Sequence, residues 1–387
     1  MERMTEWEKL QQEAVVIDGH ADTPQRFVDE GWDIAEPAGT GMISLEAARR
    51  GGLDAEFFAI WVDPHEWGGR FAERAESLLG GVREQLAKHA DAMVRGTSAD
   101  DILAAKQAGK FCVLLGVEGG HAIEASLETL RAFHAQGVRY MTLTWTNTNE
   151  WADSSGDIDD PAVKHHGGLT DFGREVVAEM NRLGMMVDVS HVSDATFWQV
   201  LECTRVPIIA SHSSARALNG SLRNLTDEQL RAVAANGGIV MVNFYSAFID
   251  EAYRVAWKAT EPLRKPLYEA ADRPYRERGV PAPYAASLAV DRAFYAEHVG
   301  KLFPAPRFEA LIDHFDHIAK VAGIEHVGVG SDFDGFAILP EGIRTAADLP
   351  KITQALMERG YSAEELKLLL GGNMLRVMRE VAARAAV

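Results

Sequence analysis

The apolar residues of this chain fall into eight short runs, most of them continuous rather than alternating with polar residues. Continuous apolar runs of this length are typical of β-strands that are covered on both faces, as in a parallel sheet. The pattern therefore predicts eight buried strands, at residues 14–18, 57–62, 111–117, 140–145, 185–189, 208–210, 239–244 and 326–330.

Stretches with a helical period separate nearly all of these runs. The clearest predicted helices are residues 71–89, 127–136, 169–183, 194–203 and 227–235, and Thr170 is expected to cap the third. Eight strands that alternate with helices predict an α/β fold, a (β/α)8 barrel of the TIM type in which residues 1–387 form a single domain. A doubly wound open sheet is the alternative.

Two stretches fall outside this alternation. Residues 245–306, before the eighth strand, hold many prolines and charges and several tyrosines. This composition predicts an irregular or partly helical insertion, which either covers the barrel mouth as a lid or decorates the surface or an oligomer contact. Residues 363–386 predict two helices that are broken near Gly371 and pack outside the barrel.

Side chains suited to metal binding or proton transfer follow five of the predicted strands. They are His20 and Asp22 after the first strand, Glu118 after the third, His191 after the fifth, His212 after the sixth and Asp332 after the eighth. The C-terminal ends of barrel strands converge on one mouth, which carries the catalytic residues of such enzymes. A single histidine after a strand is most often a cap or core residue, but this whole set on one rim predicts a metal site.

The size of the set favours two metal ions over one. A catalytic zinc ion takes three protein ligands and a water molecule. Three histidines and two or three carboxylates exceed that need and suit two ions that share a carboxylate and a water molecule. A remaining carboxylate is then free to accept and return a proton. Asp332 is the first candidate for this role because it follows the last strand, and Asp334 is the second.

Composition and charge argue against several classes of partner. The chain has 387 residues, 47% of them hydrophobic, and a formal net charge of −18. A nucleic-acid or anionic-membrane partner calls for a basic face, so neither is expected. Two cysteines in so long a chain do not make a disulfide framework, which favours a reducing compartment. Residues 1–12 lack the apolar core of a secretory signal and no run approaches a membrane span, so we expect a cytoplasmic protein.

Taken together, these residues resemble the membrane dipeptidase (renal dipeptidase) family of zinc peptidases. Each matching motif is weak alone, but the ordered set is specific and extends over most of the chain. The matching stretches are residues 17–22 (IDGHAD), 116–119 (GVEG), 139–144 (RYMTLT), 151–153 (WAD), 187–193 (VDVSHVS), 211–214 (SHSS), 223–224 (RN), 241–245 (MVNFY), 330–335 (GSDFDG) and 373–377 (NMLRV).

The resemblance implies a (β/α)8 barrel that carries two zinc ions per chain. By the family pattern, His20 and Asp22 hold one ion, and His191 and His212 hold the other. Glu118 bridges the two ions in the same pattern.

The resemblance also implies how a substrate is bound and cleaved. Asp332 would handle the proton of a hydroxide that bridges the two ions and attacks the peptide bond of a dipeptide. Arg223 would bind the C-terminal carboxylate of the substrate through a bidentate pair, to which its planar fork is suited. Tyr245, at the end of a matching stretch, is a further candidate substrate contact. A homodimer or higher homo-oligomer is expected only from the resemblance.

One position departs from the family pattern. The best-known members have a histidine just after the fourth strand, where it contacts the substrate and helps to polarise the scissile carbonyl, but this chain has Trp145. Tryptophan donates one N–H, is bulky and cannot carry a charge. Trp145 thus leaves open the substrate geometry and the stereochemical preference at the second residue. His165 and His166, in the following loop, are either substitute donors or ordinary loop residues.

Three functions are compatible with the sequence. The first is a dinuclear zinc dipeptidase that acts on dipeptides with a free C-terminal carboxylate. The second is a related metal-dependent amidohydrolase acting on another amide, such as an N-acyl amino acid, and Trp145 keeps it open. The third is a barrel that binds metal without catalysis, against which the complete set of ligands and Asp332 argue.

Overall fold

A computed structural model describes residues 4–300 and 303–385 of the chain. The described residues form nine β-strands, and every pair of neighbouring strands is parallel. The strands are β1 (Ile17–Ala21), β2 (Ala55–Trp61), β3 (Met93–Arg95), β4 (Phe111–Glu118), β5 (Val138–Thr142), β6 (Met186–Asp188), β7 (Ile209–Ala210), β8 (Ile239–Val242) and β9 (Val327–Val329).

Eight of the nine strands close into a barrel. Around the ring the order is β1, β2, β4, β5, β6, β7, β8 and β9, and β9 pairs with β1 to complete it. Each of the eight predicted runs overlaps one of these strands, so the (β/α)8 barrel is confirmed and the open-sheet alternative is wrong. The strand pattern did not predict β3, which pairs with residues 111–113 at the start of β4, below the part of β4 that pairs with β5.

Helices connect the strands and pack around the outside of the barrel. The α-helices are α1 (Glu6–Glu13), α2 (Pro24–Asp29), α3 (Leu45–Gly51), α4 (Phe71–Lys88), α5 (Ala99–Gln107), α6 (Leu127–Ala135), α7 (Asp171–Leu183), α8 (Asp194–Cys203), α9 (Asp227–Asn236), α10 (Ser246–Ile249), α11 (Glu251–Ala259), α12 (Glu261–Arg276), α13 (Tyr284–Phe294), α14 (Phe308–Ala322), α15 (Pro350–Glu358), α16 (Ala363–Lys367) and α17 (Asn373–Ala383). Short 3₁₀ turns lie at Gly120–Ile123, Ile324–His326 and Ala346–Asp348, and π-helical turns at Tyr295–Val299 and Leu368–Gly372. The five predicted helices are present, and the Thr170 hydroxyl caps α7 by accepting from the Gly173 N–H at 3.2 Å.

The C-terminal helices close the N-terminal end of the barrel. Met374 and Val377 of α17 belong to the same buried cluster as Ile17 and Ile239, which lie in β1 and β8. The predicted break near Gly371 is wrong, because the π-helical turn carries the helical backbone straight into α17. A side chain at position 371 would overlap the carbonyl oxygen of Val15, just before β1. A glycine is needed there for the helix to approach the barrel so closely.

The predicted insertion is more helical than its prolines suggest. Helices α10–α13 fill residues 246–294, and α12 includes two prolines in its interior. The Ala282 N–H donates to the Glu66 carboxylate at 3.0 Å, and the Tyr284 hydroxyl donates to the Gly335 carbonyl at 2.6 Å. Glu66 follows β2 and Gly335 follows β9, the two strands on either side of β1. The insertion therefore passes over the β1 side of the barrel mouth.

The cysteines and the lengths of the helices bear on the expected environment of the chain. Cys112 is buried, Cys203 is half-buried, and both are free thiols. Within residues 4–300 and 303–385, no helix combines the length and the apolar character needed to cross a bilayer. The cytoplasmic location remains a prediction.

Candidate metal centre and active site

The structure brings the five candidate metal ligands together at the C-terminal mouth of the barrel. His20 lies in β1 and Asp22 follows that strand directly, while Glu118 is the last residue of β4. His191 and His212 lie in the turns after β6 and β7. All five residues are between 0 and 7% exposed. Four separate strands therefore place the five candidate ligands in one buried pocket.

The Glu118 carboxylate stands between two groups of ligands. Its Oε2 is 3.2 Å from His20 Nε2, and its Oε1 is 2.9 Å from His191 Nε2 and 3.3 Å from His212 Nε2. On the first side, Asp22 Oδ2 lies 3.9 Å from His20 Nε2. On the second side, the two Nε2 atoms of His191 and His212 are 2.9 Å apart. Each oxygen of Glu118 thus faces a different set of imidazole nitrogens, which is the arrangement expected of a bridging carboxylate.

A tyrosine inside the barrel fixes the tautomer of His20. The Tyr140 hydroxyl lies 2.8 Å from His20 Nδ1 and donates its own proton to the Gly19 carbonyl at 3.1 Å. Because that proton is already used, the Tyr140 oxygen accepts from His20 Nδ1–H. In the neutral imidazole, the form that binds a metal ion, the lone pair of His20 is then on Nε2, a buried atom without a hydrogen-bond partner. Gly116 leaves space for the Tyr140 ring, since a side chain at position 116 would overlap it.

A serine and an aspartate fix the tautomer of His212 in the same way. The Ser211 hydroxyl donates to the Asp188 carboxylate at 2.6 Å and lies 2.7 Å from His212 Nδ1. His212 therefore carries its proton on Nδ1 and turns the Nε2 lone pair toward Glu118. Asp188 also accepts from the backbone N–H groups of Ser190 and Ser211, so this fully buried carboxylate is well satisfied. Such outer hydrogen bonds orient metal ligands and make them more basic.

His191 occupies a strained turn that the neighbouring loop holds in place. Its backbone is left-handed, with φ of +68°, which is uncommon for a residue other than glycine and clusters at functional sites. The His191 carbonyl accepts from the N–H and the hydroxyl of Ser155, at 2.8 and 2.9 Å, and from the Ser154 hydroxyl at 3.2 Å. Burial, and then the positive charge of Arg223, lower the pKa of His191 to about 4. The imidazole is therefore neutral near pH 7, as a metal ligand must be.

The acidic side of the site concentrates negative charge away from water. Burial and then the Glu118 charge raise the pKa of Asp22 well above its usual value. Burial alone would lower the pKa of His20, but Glu118 and Asp22 raise it to about 10. Asp332 lies in the same group, because one ligand atom from each of His20, Asp22 and Asp332 falls within 4.8 Å of the others. Buried carboxylates and imidazoles are the donors that zinc takes, and a cation bound here would displace the proton of His20, so the residues present fit two divalent cations.

Asp332 is held at the edge of this group by an oriented amide. The Asn243 side chain accepts from the Tyr245 N–H at 2.6 Å, which leaves its amino group free to donate to Asp332 Oδ2 at 2.9 Å. Burial raises the pKa of Asp332 to about 6. Asp334, the second candidate for proton transfer, is engaged elsewhere, because its carboxylate accepts from the Thr23 hydroxyl at 2.8 Å and the Met42 N–H at 3.1 Å. The geometry thus favours Asp332 over Asp334.

Arg223 is buried beside the His212 turn. Its guanidinium donates to the Ser213 hydroxyl at 2.7 Å and to the His212 carbonyl at 2.8 Å, while its Nε has no partner within the described structure. Burial lowers its pKa to about 10, so it stays charged near pH 7. A buried arginine with a donor still unused is suited to receive a carboxylate.

The other two candidate substrate contacts lie in different surroundings. The half-buried Trp145 packs its ring 4.8 Å from the ring of Trp61 and 6.4 Å from that of His191. The Tyr245 ring packs instead on Phe248 and Phe336, at 4.8 and 5.0 Å.

The substitute donors suggested for Trp145 differ in how they are engaged. The His166 ring, through its Nε2, lies 2.9 Å from the carbonyl of Asn149, which accepts its proton. Neither ring nitrogen of His165 has a hydrogen-bond partner among the described residues.

Sequence reasoning missed the residues that orient the ligands. Tyr140, Asp188 and Ser211 lie within stretches that match the family motifs, yet nothing in their spacing says which histidine each one reaches. Tyr140 and His20 meet across the barrel, at a separation of 120 residues in the sequence. Asn243 is a comparable case, since its contact with Asp332 joins residues that are 89 apart. Only the closed ring of strands reveals these pairs.

Comparison with known proteins identifies the family. Residues 4–387 match the family model for Membrane dipeptidase (Peptidase family M19). The chain belongs to this family. The resemblance inferred from the motifs is therefore confirmed. Among solved structures, the probable dipeptidase PvdM from Pseudomonas aeruginosa superposes with a TM-score of 0.80 at 27% sequence identity, with 98% of each chain covered. The barrel is thus the fold of this peptidase family.

Two of the similar proteins are dipeptidases. Dipeptidase 3 of Homo sapiens is 32% identical over 371 residues, which cover 95% of this chain and 65% of the human protein. Dipeptidase aclJ of Aspergillus oryzae is 33% identical over 349 residues, which cover 88% of this chain and 70% of the fungal protein. The chain spans just under two thirds of the length of the Dipeptidase 3 relatives.

Proposed function

We propose that this chain is a dinuclear zinc dipeptidase that hydrolyses dipeptides with a free C-terminal carboxylate. The observation that carries the proposal is the Glu118 carboxylate, whose two oxygens face His20 on one side and His191 and His212 on the other. Membership of the membrane dipeptidase family and the names of the relatives support the same activity. The number and identity of the metal ions are part of the proposal.

The ligands divide between two ions. His20 and Asp22 would hold one zinc ion, His191 and His212 the other, and Glu118 would bridge them. Zinc ions held by these residues would supply a Lewis acid for the scissile carbonyl and would lower the pKa of bound water toward neutrality.

Asp332 moves the proton in this proposal. Its buried carboxylate lies beside His20 and Asp22, and the Asn243 amide holds one of its oxygens. A carboxylate in that position accepts a proton from the attacking water and returns it to the amine that leaves.

Arg223 binds the C-terminal end of the substrate. Its guanidinium is anchored by Ser213 and by the carbonyl of His212, so its position is fixed relative to the ligands. The carboxylate of a dipeptide placed against Arg223 sets the peptide bond next to the ligand cluster. This anchoring orients the reacting bond without a contribution from the substrate side chains.

A related metal-dependent amidohydrolase that acts on an N-acyl amino acid is the second candidate. Trp145 favours it, because an uncharged indole stands where the family places a histidine that contacts the substrate. Such a substrate keeps the carboxylate for Arg223 and the amide for the ligand cluster. It differs from a dipeptide only at the end that would lie near Trp145.

Metal analysis together with a substrate panel tests the proposal. Metal content would be measured per chain, and turnover would be assayed on L,L- and L,D-dipeptides and on N-acyl amino acids. Two zinc ions with dipeptide hydrolysis is the expected result. Hydrolysis of N-acyl amino acids alone would select the second candidate, and two ions without hydrolysis of any amide would indicate a metal-binding barrel that has lost catalysis.

Two further expectations concern the location and the assembly of the chain. A cytoplasmic location and a homodimer or higher homo-oligomer remain predictions, and fractionation of cells and sedimentation of the purified protein would test them.

A further inference from the structure

Three aromatic side chains form a continuous arc along the rim of the barrel mouth. The Trp61 ring is at the centre of the arc, with the rings of Trp145 and Tyr284 each 4.8 Å from it, at interplanar angles of 56° and 59°. Trp61 ends β2, Trp145 follows β5 and Tyr284 begins α13 of the insertion. We call these three residues the aromatic arc.

Both ends of the arc lie next to the ligand cluster. At one end, the Trp145 ring lies 6.4 Å from the His191 ring. At the other end, the Tyr284 hydroxyl donates to the carbonyl of Gly335 at 2.6 Å. A side chain on Gly335 would overlap the carboxylates of Asp22 and Asp332, so this glycine is in direct contact with the acidic side of the site. The arc therefore runs beside the cluster from the second ion position to the first.

The strand order places Trp61, the centre of the arc, opposite Arg223. In the ring of eight strands, β2 and β7 are separated by three strands on either side. Trp61 ends β2, whereas Arg223 follows β7 and contacts the His212 turn. A substrate whose carboxylate lies at Arg223 and whose amide lies at the ligand cluster must extend its other end toward the arc.

We propose that the aromatic arc is the subsite for the N-terminal residue of the substrate and selects dipeptides in which that residue is aromatic. This inference rests on the proposed dipeptidase function and adds a substrate class to it. The three side chains carry no charge. Trp145 and Tyr284 are partly exposed, while Trp61 is only 3% exposed. Aromatic rings of this kind bind another ring by burial and by edge or face contacts. None of the three has a charge to pair with a charged side chain.

The arc also gives the insertion a role. Tyr284 reaches the rim only because α13 lies across the β1 side of the mouth, where the contact between Ala282 and Glu66 also holds it. The insertion thus completes the subsite by supplying its third ring. Removal of the Tyr284 ring should weaken binding of an aromatic residue. Removal of the Tyr284 hydroxyl alone should make the position of the ring less fixed.

Binding measured without turnover tests the inference. The zinc-loaded Asp332→Asn variant would be titrated in a calorimeter with Phe–Ala and with Ala–Ala, each with an L- and a D-alanine as second residue. We expect Phe–Ala to bind at least about tenfold more tightly than Ala–Ala, because the arc buries the phenyl ring. Adding Trp145→Ala should bring the two affinities close together. Trp145→His, which also removes the indole, is the second variant in case the alanine variant folds poorly.

A matched control removes a tryptophan elsewhere. Trp198 lies on α8 and is 40% exposed, so Trp198→Ala should leave the affinity ratio unchanged. Equal or reversed affinities for the two dipeptides, no measurable binding of Phe–Ala, or a ratio unaffected by both Trp145 variants would each overturn the inference. Hydrolysis of both dipeptides by the native chain at equal kcat/KM would also overturn it while leaving the dipeptidase proposal intact. If neither is hydrolysed, the dipeptidase proposal fails, and the binding ratio still decides the role of the arc.

Discussion

At the scale of single residues, Glu118 determines how the site is divided. Burial would raise the pKa of its carboxylate, but the neighbouring imidazoles of His20, His191 and His212 hold it well below the usual value. An ionised carboxylate with one oxygen on each side can serve two cations at once. The division of ligands into two groups therefore follows from the position of this one side chain.

Asp332 can be separated from the metal ligands by substitution. Asp332→Asn should retain both zinc ions and lose a factor of about 10²–10⁴ in kcat, because the amide cannot accept the proton of the attacking water. Metal content and steady-state kinetics would be measured together. Asp334→Asn is the matched control and should keep most of its activity, since that carboxylate faces Thr23 and Met42. Full activity in Asp332→Asn would rule out the proton-transfer role.

Tyr140 should affect the affinity of one ion only. Tyr140→Phe removes the acceptor of His20 Nδ1–H, so the first ion should bind about 10–100-fold more weakly while the second is unaffected. Competition with a chelator would resolve the two affinities.

A second variant tests the other ion. Ser211→Ala, which removes the hydroxyl that bonds His212 Nδ1, should weaken binding of that ion by a comparable factor. Tyr361→Phe, whose hydroxyl bonds Asp316 far from the site, should change neither. Equal loss of both ions in Tyr140→Phe would contradict the proposed division of ligands.

At the scale of elements, the turn after β9 is built around close contacts. Asp332 and Asp334 both have left-handed backbones, with φ of +61° and +63°, and Gly335 follows with its Cα against the carboxylates of Asp22 and Asp332. The turn can bring two acidic side chains together only because position 335 has no side chain. The sequence GSDFDG shows that glycine is present there, but not what it touches.

Substitution of Gly335 should disturb the site more than the fold. In Gly335→Ala the new methyl group would push Asp22 and Asp332 apart, and misplacement of that size costs roughly 100-fold in kcat/KM. Gly68→Ala is the control, because the nearest atom to a Cβ there is 3.9 Å away. Kinetics and thermal unfolding would be measured for both variants. A kcat/KM in Gly335→Ala equal to that of Gly68→Ala would show that the turn tolerates the methyl group.

The elements show where sequence patterns are informative and where they are not. The eight barrel strands are predictable because most of them are continuous apolar runs. β3 has only three residues, two of them exposed, so no apolar pattern marks it. The helices of the insertion are harder to predict, because Pro266 and Pro274 argue against a helix and yet lie inside α12. Ligands at strand ends could be named from the sequence, whereas the contacts of Tyr140 and Tyr284 depend on how distant elements meet.

At the scale of the whole molecule, the barrel is closed at one end and functional at the other. α17 covers the N-terminal end, where its apolar residues join those of the strand interiors. The candidate ligands occupy the C-terminal mouth, and the insertion crosses part of it. The apolar packing of α17 and the candidate ligands therefore lie at opposite ends of the same strands, as in other barrels of this class.

A substitution at the closed end should change stability without changing the site. Gly371→Ala should lower the free energy of unfolding by about 1–3 kcal/mol, because its methyl group meets the backbone carbonyl of Val15. Gly80→Ala, in the middle of α4, should instead raise stability by up to about 1 kcal/mol, since only the flexible end of Arg83 is near. Unfolding would be followed by circular dichroism. A stable Gly371→Ala variant would show that α17 does not pack tightly on the barrel.

The dinuclear centre is tested most directly by anomalous diffraction from a crystal of the zinc-loaded protein, recorded on both sides of the zinc absorption edge. We expect two zinc peaks per chain on opposite sides of the Glu118 carboxylate, one within bonding distance of His20 and Asp22 and the other within bonding distance of His191 and His212. A single peak, or two peaks of which neither contacts Glu118, would contradict this expectation.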